Sequence, residues 1–218
     1  ALMAVSSIQE IIDLGMVSHL ATLKSKVPFL NFFDGFRNSH EIQKVDLIDY
    51  DTMKELHEPE YLEDFRSRAM NPEKPFVKVG AQNPDVYFQG RETVNKYYDA
   101  TPDIVQEYMD KVAQVIGRQY HIFDYFGPKD AEKVIIAMGS ANNTIEETIN
   151  YLNKNDEKLG LIKVRLYRPF AVEKFKETIP QSVKKIAVLD RTKEAGSIGE
   201  PLYLDVVSAL KDTDIEVI

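Results

Sequence analysis

The sequence predicts an α/β protein with a mainly parallel open sheet and helices on both of its faces. In residues 120–218, short apolar runs alternate with amphipathic segments of helical spacing, which is typical of βαβ units and a sheet covered on both sides. A helix followed by a strand begins the chain, and a proline-rich stretch separates the two parts. We therefore expect a truncated α/β piece, then an ordered extended arm, then the open sheet.

Composition limits the possible chemistry. The 218 residues carry 27 Lys and Arg against 35 Asp and Glu, a net charge of −8 without a basic stripe, which argues against a nucleic-acid surface. No apolar run approaches the ~18 residues of a membrane span. The absence of cysteine excludes disulfides, thiolate nucleophiles and Cys-ligated zinc or iron–sulfur sites in this chain. The four histidines show no metal-binding spacing.

The first element is predicted as a helix that contains Ile8 to Leu23, because apolar residues recur there every three or four positions. Ser7 and Glu10 are spaced as an N-terminal capping box. A strand over 29–33 and a turn at Asp34-Gly35 follow. One helix and one strand cannot bury both of their faces, so we expect partner strands upstream of Ala1. With a strand at the other end of the chain, this indicates a fragment of a longer protein.

The middle of the chain is predicted as a connecting arm, because prolines are frequent there. Short helices are expected over 51–56 and 60–69, and extended chain over 76–88. Pro102 is expected to open a helix that Gly117 ends. The arm contains aromatic residues that need burial, and we expect it to pack on neighbouring domains. These residues are Tyr61, Phe65, Phe76, Tyr87, Phe88, Tyr97 and Tyr98.

The last hundred residues alternate strand and helix. Strands are predicted over 133–138, 160–167, 185–189 and 215–218. Helices are expected to begin at Thr144, where Glu147 completes a capping box, and at Pro169 and Pro201.

The carboxyl ends of parallel strands are where ligands collect in such sheets. Residues 139–142 either hold an anion at a helix N-terminus or form a plain capped turn. Arg165 and Arg168 either clamp a carboxylate or phosphate, form ion pairs with acids such as Asp190 or Glu194, or contact the rest of the protein.

Two further segments carry candidate residues. The loop 190–200, with Asp190 and Arg191 at its start, is either a functional loop or a solvated connection. After the first predicted strand come Arg37, His40 and Glu41. His40 and Glu41 are either an acid/base pair or, since adjacent side chains diverge, part of an ordinary hydrogen-bonded loop.

Several segments in order resemble the pyruvate:ferredoxin (flavodoxin) oxidoreductases, and the resemblance covers essentially the whole chain. The segments that carry it are Phe32–Lys44, Met70–Pro72, Ala81–Arg91, Gly160–Phe170 and Leu189–Glu194. The resemblance implies that residues 1–50 are the C-terminal part of the domain that binds the pyrimidine side of thiamine diphosphate. It also implies that 51–119 are an ordered connecting arm and that 120–218 resemble the C-terminal domain of transketolases.

The resemblance also implies the reaction of the parent protein. That reaction is oxidative decarboxylation of pyruvate to acetyl-CoA and CO₂, with electrons passed to ferredoxin or flavodoxin. The parent would use thiamine diphosphate, Mg²⁺, [4Fe–4S] clusters and coenzyme A, and would be a cytoplasmic homodimer. No catalytic, cofactor-binding or metal-binding residue is assigned to this chain, which is expected to be inactive alone. The alternative is a non-catalytic docking or assembly module of another 2-oxoacid oxidoreductase.

Overall fold

The computed structural model describes residues 1–75 and 80–218, in which helices surround two sheets. The helices are α1 (Ile8–Ser25), α2 (Arg37–His40), α3 (Tyr50–Leu56), α4 (Pro59–Ser67), α5 (Pro84–Glu92), α6 (Asn95–Ile116), α7 (Ala141–Asn153), α8 (Val172–Thr178) and α9 (Pro201–Leu210). The strands are β1 (Leu2–Ala4), β2 (Leu30–Phe32), β3 (Phe123–Phe126), β4 (Lys133–Ala137), β5 (Leu159–Val164), β6 (Leu166–Arg168), β7 (Lys185–Leu189) and β8 (Glu216–Val217).

The smaller sheet has the order β2-β1-β6. β1 and β2 are parallel and are joined by α1, whose predicted cap is confirmed because Ser7 Oγ accepts a hydrogen bond from the Glu10 N–H. β6 adds to β1 in the antiparallel direction. The expectation that partner strands of the first helix–strand unit lie upstream of Ala1 is therefore wrong for β1, which pairs with β2 from within this chain, and β6 extends the same sheet. β1 escaped notice because three apolar residues are too short to show a period.

The larger sheet has the order β3-β5-β4-β7-β8, and only the β3–β5 pair is antiparallel. The predicted mainly parallel α/β fold is confirmed, but β3 was not predicted. The strand predicted over 160–167 is interrupted at Arg165. Before this residue the chain belongs to the larger sheet, and after it β6 pairs with β1 in the smaller one. One continuous segment of the sequence thus serves two sheets.

Helices cover both faces of the larger sheet. On one face α7 packs Ile145 and Ile149 against Ala137 and Leu161. On the other face a second core is shared with the smaller sheet and with α1 and α6. Residues of this shared core include Met3, Leu14, Tyr108, Met109, Ile136, Ile162, Leu166, Phe175, Ile186 and Leu202. The two sheets are therefore packed around common apolar contacts. None of the helices in the described ranges has the length and hydrophobicity needed to cross a membrane.

Three helix starts differ from the prediction, and one of them is that of α8, which begins at Val172 rather than Pro169. α6 begins at Asn95 and contains Pro102, although an internal proline removes a backbone hydrogen bond. Pro102 is buried in the folded chain, so tertiary burial outweighs the local cost. α7 begins at Ala141 rather than Thr144. The reason is that the carboxylate of Asp34, more than one hundred positions earlier, accepts a hydrogen bond from the backbone N–H of Ser140.

The arm differs from the prediction at its centre. The expected extended segment ends in helix α5, which begins with Asn83-Pro84, a start signal that the proline count obscured. Residues 76–79 of that segment, and with them Phe76, lie outside the described residues. The described chain itself leaves three of the arm's aromatic residues uncovered, and their packing on neighbouring domains stays a prediction. Phe65, Tyr87 and Phe88 are 55%, 53% and 70% exposed.

An ion cluster links α1 to α6 and gives a pH prediction. Glu107 lies 2.6 Å from Lys24 Nζ and 2.8 Å from Lys111 Nζ, and these hydrogen bonds, with Lys111 first, hold the pKa of Glu107 below its ordinary 4.5. The stabilisation is therefore complete above pH 4.5 and is lost as the pH falls through the folded-state pKa. We expect Glu107→Gln to unfold with a shallower acid dependence, measured by urea titrations between pH 3 and 7. In a Lys24→Met, Lys111→Met background, Glu107→Gln should change the acid dependence of unfolding little. An equal effect in that background would contradict the assignment of the acid dependence to these ion pairs.

Candidate functional site where two sheet edges meet

The larger sheet has a topological switch point between β4 and β7. From β4 the chain passes through α7 to β5 on one side, and it later returns to β7 on the other side. Residues 138–140 follow β4 and residues 190–192 follow β7. Ligands of open α/β sheets bind in the crevice at such a point, beyond the carboxyl ends of the strands.

A carboxylate of this chain occupies that crevice. Asp34, which follows β2 of the smaller sheet, accepts one hydrogen bond from the backbone N–H of Ser140 and one from Arg191 Nη1. Arg191 Nη1 also lies 3.2 Å from Ser140 Oγ. Gly139 has a φ of +81°, and a Cβ there would lie 2.9 Å from Asp34 Oδ2, so only glycine admits this approach. The carboxylate holds the place that an anion takes at a helix N-terminus.

A second contact closes the same edge. Ser6 follows β1, and its Oγ accepts a hydrogen bond of 2.9 Å from Asn142 Nδ2 in α7. Asn143 Nδ2 donates to the Ser6 carbonyl oxygen at 3.2 Å. Residues that follow β1 and β2 thus contact residues that follow β4 and β7. The carboxyl edges of the two sheets face each other through polar contacts made within the chain.

A cavity of about 220 Å³ lies beside the Asp34 carboxylate and has mainly apolar walls. Its lining is Phe32, Phe33, Asp34, Met138, Gly139, Asp190, Arg191 and Thr192. The Asp190 carboxylate caps α9, because it accepts hydrogen bonds from the backbone N–H groups of Leu202 at 3.2 Å and Tyr203 at 2.9 Å. Of the two residues predicted at the start of the 190–200 loop, Arg191 reaches the Asp34 carboxylate and Asp190 serves α9.

Arg165 lies at the bend between β5 and β6 and is buried. Its Nη2 donates to Glu10 Oε1 at 2.9 Å, and its Nη1 donates to Asp124. The guanidinium lies 5.0 Å from the centre of the Tyr120 ring. Burial alone would lower the pKa of Arg165, but the attraction of both carboxylates outweighs this and raises it. The arginine joins α1 of the smaller sheet to β3 of the larger one.

Arg168 belongs to a different environment. Its Nη1 lies 2.7 Å from Asp205 Oδ2 in α9, and its guanidinium stacks 3.8 Å from the centre of the Tyr167 ring. Burial raises the pKa of Tyr167 to about 12, which keeps this phenol neutral. Both arginines form ion pairs, as one of the two readings predicted, but in the described chain their partners are acids other than Asp190 and Glu194. The structure does not bring Arg165 and Arg168 together as a clamp.

The residues after β2 lie on the surface. Arg37 and His40 are the ends of the four-residue helix α2, and Glu41 follows it. The three side chains are exposed. His40 stacks on Phe36 with ring centres 5.3 Å apart, and its Nδ1 lies 2.7 Å from Ser39 Oγ. In the described chain the polar partner of His40 is Ser39, not Glu41.

Sequence reasoning missed the partners of these arginines. Glu10 was read only as part of a capping box, Asp34 only as a turn residue, and Asp124 lies in a strand that was not predicted. Asp34 had one usable signal, since an acid directly after a strand in an α/β protein stands at the ligand edge. Glu10 and Asp124 had none, because their distance from Arg165 along the chain is large.

The described residues do not form a metal centre. Within residues 1–75 and 80–218, no three His, Cys, Asp or Glu side chains come together in a way that could hold a metal ion. The helix N-terminus that could receive a diphosphate carries the Asp34 carboxylate instead. These side chains therefore do not fit Mg²⁺, an iron–sulfur cluster or a diphosphate.

The fold and the site define an α/β protein of the doubly wound class, in which a second, mixed sheet closes the ligand edge. A family model described as "Pyruvate flavodoxin/ferredoxin oxidoreductase, thiamine diP-bdg" matches residues 1–110. Another, described as "Pyruvate:ferredoxin oxidoreductase core domain II", matches residues 131–218. The chain belongs to the pyruvate flavodoxin/ferredoxin oxidoreductase family, as its resemblance to these enzymes predicted.

Curated relatives are much longer than this chain. It is 57% identical over 212 residues to the pyruvate:ferredoxin oxidoreductase of Moorella thermoacetica, and 52% identical over 214 residues to a pyruvate-flavodoxin oxidoreductase of Enterobacter agglomerans. The matches cover 97% and 98% of this chain but 18% of each relative. It is also 51% identical to the pyruvate dehydrogenase [NADP(+)] of Cryptosporidium parvum, of which it spans 11%.

A solved structure has a similar fold. The chain matches a 2-oxoglutarate:ferredoxin oxidoreductase from Magnetococcus marinus with a TM-score of 0.57 and 14% identity. The match covers all of this chain and 38% of that one. At this identity the likeness concerns the fold alone.

Proposed function

We propose that this chain is a non-catalytic joining part of an enzyme that oxidatively decarboxylates pyruvate to acetyl-CoA and CO₂. The occupied crevice carries the proposal. Where an open α/β sheet would bind a ligand, Ser140 and Arg191 hold the carboxylate of Asp34. The charge of Arg165 is likewise neutralised by ion pairs with Glu10 and Asp124. Groups suited to a ligand thus hold two sheets together.

The cofactors of the parent enzyme belong elsewhere in this proposal. Thiamine diphosphate, Mg²⁺ and [4Fe–4S] clusters would be bound by other parts of the polypeptide, and coenzyme A would be the acyl acceptor. Electrons would pass to ferredoxin or flavodoxin. Relatives named for ferredoxin, flavodoxin and NADP⁺ are 51–57% identical over this same stretch. That similarity supports a choice of electron acceptor made outside this chain.

The division of the chain is part of the proposal. Residues 1–50 would end the domain that binds the pyrimidine side of thiamine diphosphate, residues 51–119 would form the connecting arm, and residues 120–218 the transketolase-like domain. The exposed aromatic residues of the arm, such as Phe65 and Phe88, are consistent with contacts to other domains. A homodimeric parent in the cytoplasm follows from the family resemblance.

A second candidate is a docking module in an oxidoreductase for another 2-oxo acid. The fold is shared with a 2-oxoglutarate:ferredoxin oxidoreductase, so the fold by itself does not select the 2-oxo acid. The substrate separates the two candidates, because both assign the same joining role to this chain.

The test is dye reduction by the whole enzyme and by this chain. We expect the intact protein, loaded with thiamine diphosphate, Mg²⁺ and clusters, to reduce a viologen dye when pyruvate and coenzyme A are supplied. The 218-residue chain alone should show no turnover. Reduction with 2-oxoglutarate but not pyruvate would favour the second candidate. Turnover by the isolated chain would overturn the joining role.

A further inference from the structure

The segment between Asp34 and Asp46 is fixed at both ends. At one end Asp34 is held by Ser140 and Arg191. At the other end Gln9 pairs with the backbone of Asp46, whose N–H donates to Gln9 Oε1 at 2.8 Å and whose carbonyl accepts from Gln9 Nε2 at 3.0 Å. We call residues 35–45 the strap. Because both of its ends are held by hydrogen bonds, the strap has a defined position on the surface.

The strap exposes large apolar side chains. Phe36 is 81% exposed and Ile42 is 98% exposed. Phe36 also has a φ of +57° and a ψ of −63°, a conformation that costs free energy in a residue with a side chain. Stacking of His40 on the Phe36 ring holds the aromatic side chain on the surface. A strained backbone that leaves the apolar Phe36 side chain exposed indicates that this side chain makes a contact.

The strap is cationic on an acidic chain. Within the described ranges, neither Arg37 nor Lys44 lies within 4.0 Å of a carboxylate, whereas many other surface lysines and arginines form ion pairs. Glu41 is the one acid in the strap, and the whole chain has a net charge of −8. A surface complementary to the strap is therefore apolar with carboxylates at its border.

We propose that the strap is a preformed docking surface for another part of the same polypeptide, one with apolar and acidic side chains. The proposal rests on the proposed function, in which this chain is a portion of a longer enzyme. The curated relatives contain more than four-fifths of their length outside the matched region. Eleven residues also fall short of the roughly 20–30 per side that separate chains use, whereas domains of one chain meet at high effective concentration.

The test is photocrosslinking in the intact enzyme. A benzoylphenylalanine at position 42, in place of Ile42, is irradiated and the products are digested and sequenced by mass spectrometry. We expect a product with the mass of one polypeptide, joined to a peptide outside residues 1–218 that contains Asp or Glu. The same probe at the exposed Lys154 on the end of α7 is the matched control. A product with the mass of two polypeptides, or a yield no higher than at Lys154, would overturn the proposal.

A charge variant provides an independent readout. In the intact enzyme, Arg37→Glu should speed amide exchange of residues 41–45 at least tenfold, while exchange in β4 stays unchanged and reports that the fold is intact. Lys154→Glu should change neither. Equal exchange in Arg37→Glu and the parent protein would count against the acidic partner surface. Pyruvate-dependent dye reduction is recorded on the same samples. The exchange data then test the docking role of the strap, and the dye reduction separately tests the proposed function.

Discussion

Replacement of Arg165 by methionine is expected to lower the free energy of unfolding by about 3–5 kcal/mol. The side chain is 4% exposed and pairs with Glu10, which is 9% exposed, and with Asp124, which is 26% exposed. Methionine fills much of the same volume but leaves two carboxylates without their counter-charge. Removal of one partner from a buried pair costs far more than the pair itself contributes.

Urea unfolding at pH 7 measures this loss, and a surface pair supplies the control. Lys185 and Glu216 lie 2.6 Å apart with side chains 56% and 55% exposed, so Lys185→Met should cost no more than about 1 kcal/mol. Because Arg165 joins α1 to β3, we expect both sheets of Arg165→Met to unfold in one transition, at a lower urea concentration than in the parent protein. A loss below about 1 kcal/mol for Arg165→Met would mean that the guanidinium does not hold the joint.

Asp34→Ala is expected to cost about 2–3 kcal/mol, because it removes a charged acceptor shared by two donors. The Asp34 side chain is 13% exposed, and its loss leaves the Ser140 N–H at the start of α7 without its partner. We expect faster amide exchange at Ser140 together with the lower unfolding midpoint. Asp34→Asn keeps an acceptor oxygen but loses the charge, so its unfolding free energy should lie between those of the parent protein and Asp34→Ala.

Asp51→Ala is the matched control for this prediction. Asp51 also contacts a cation, Lys54 at 3.0 Å, but its side chain is 90% exposed. Its removal should change the unfolding free energy by less than about 0.5 kcal/mol. If Asp34→Ala lowered the unfolding free energy as little as Asp51→Ala, the carboxylate in the crevice would be an incidental surface contact and would not close the ligand edge of the sheet.

Elements with strong local signals were predictable from the sequence. The Ser7 cap and the apolar spacing after it are enough to place α1, and Pro201 at the first turn is enough to place α9. The apolar runs that became β4 and β7 needed no knowledge of their partners. In each case the energy that decides the element comes from residues within one or two turns of it.

Elements decided by distant contacts were not predictable. Pro102 stands inside α6 because that turn is buried by the folded chain, and α7 starts early because Asp34 approaches its N-terminus. The run at 160–167 is divided at Arg165 because β1 recruits its second half. Periodicity describes one segment at a time and contains no information about which segment will lie beside it.

Local patterns and residue identity are enough to predict the α/β class, the order of the strong elements and the family to which the chain belongs. The tertiary structure decided what the charged candidates do. Arg165 and Arg191 were visible as cations at strand ends, and their partners, Glu10 and Asp34, lie more than 150 positions away in each case. Ion pairs depend on distance in space, and only folding brings these charges close enough to interact strongly.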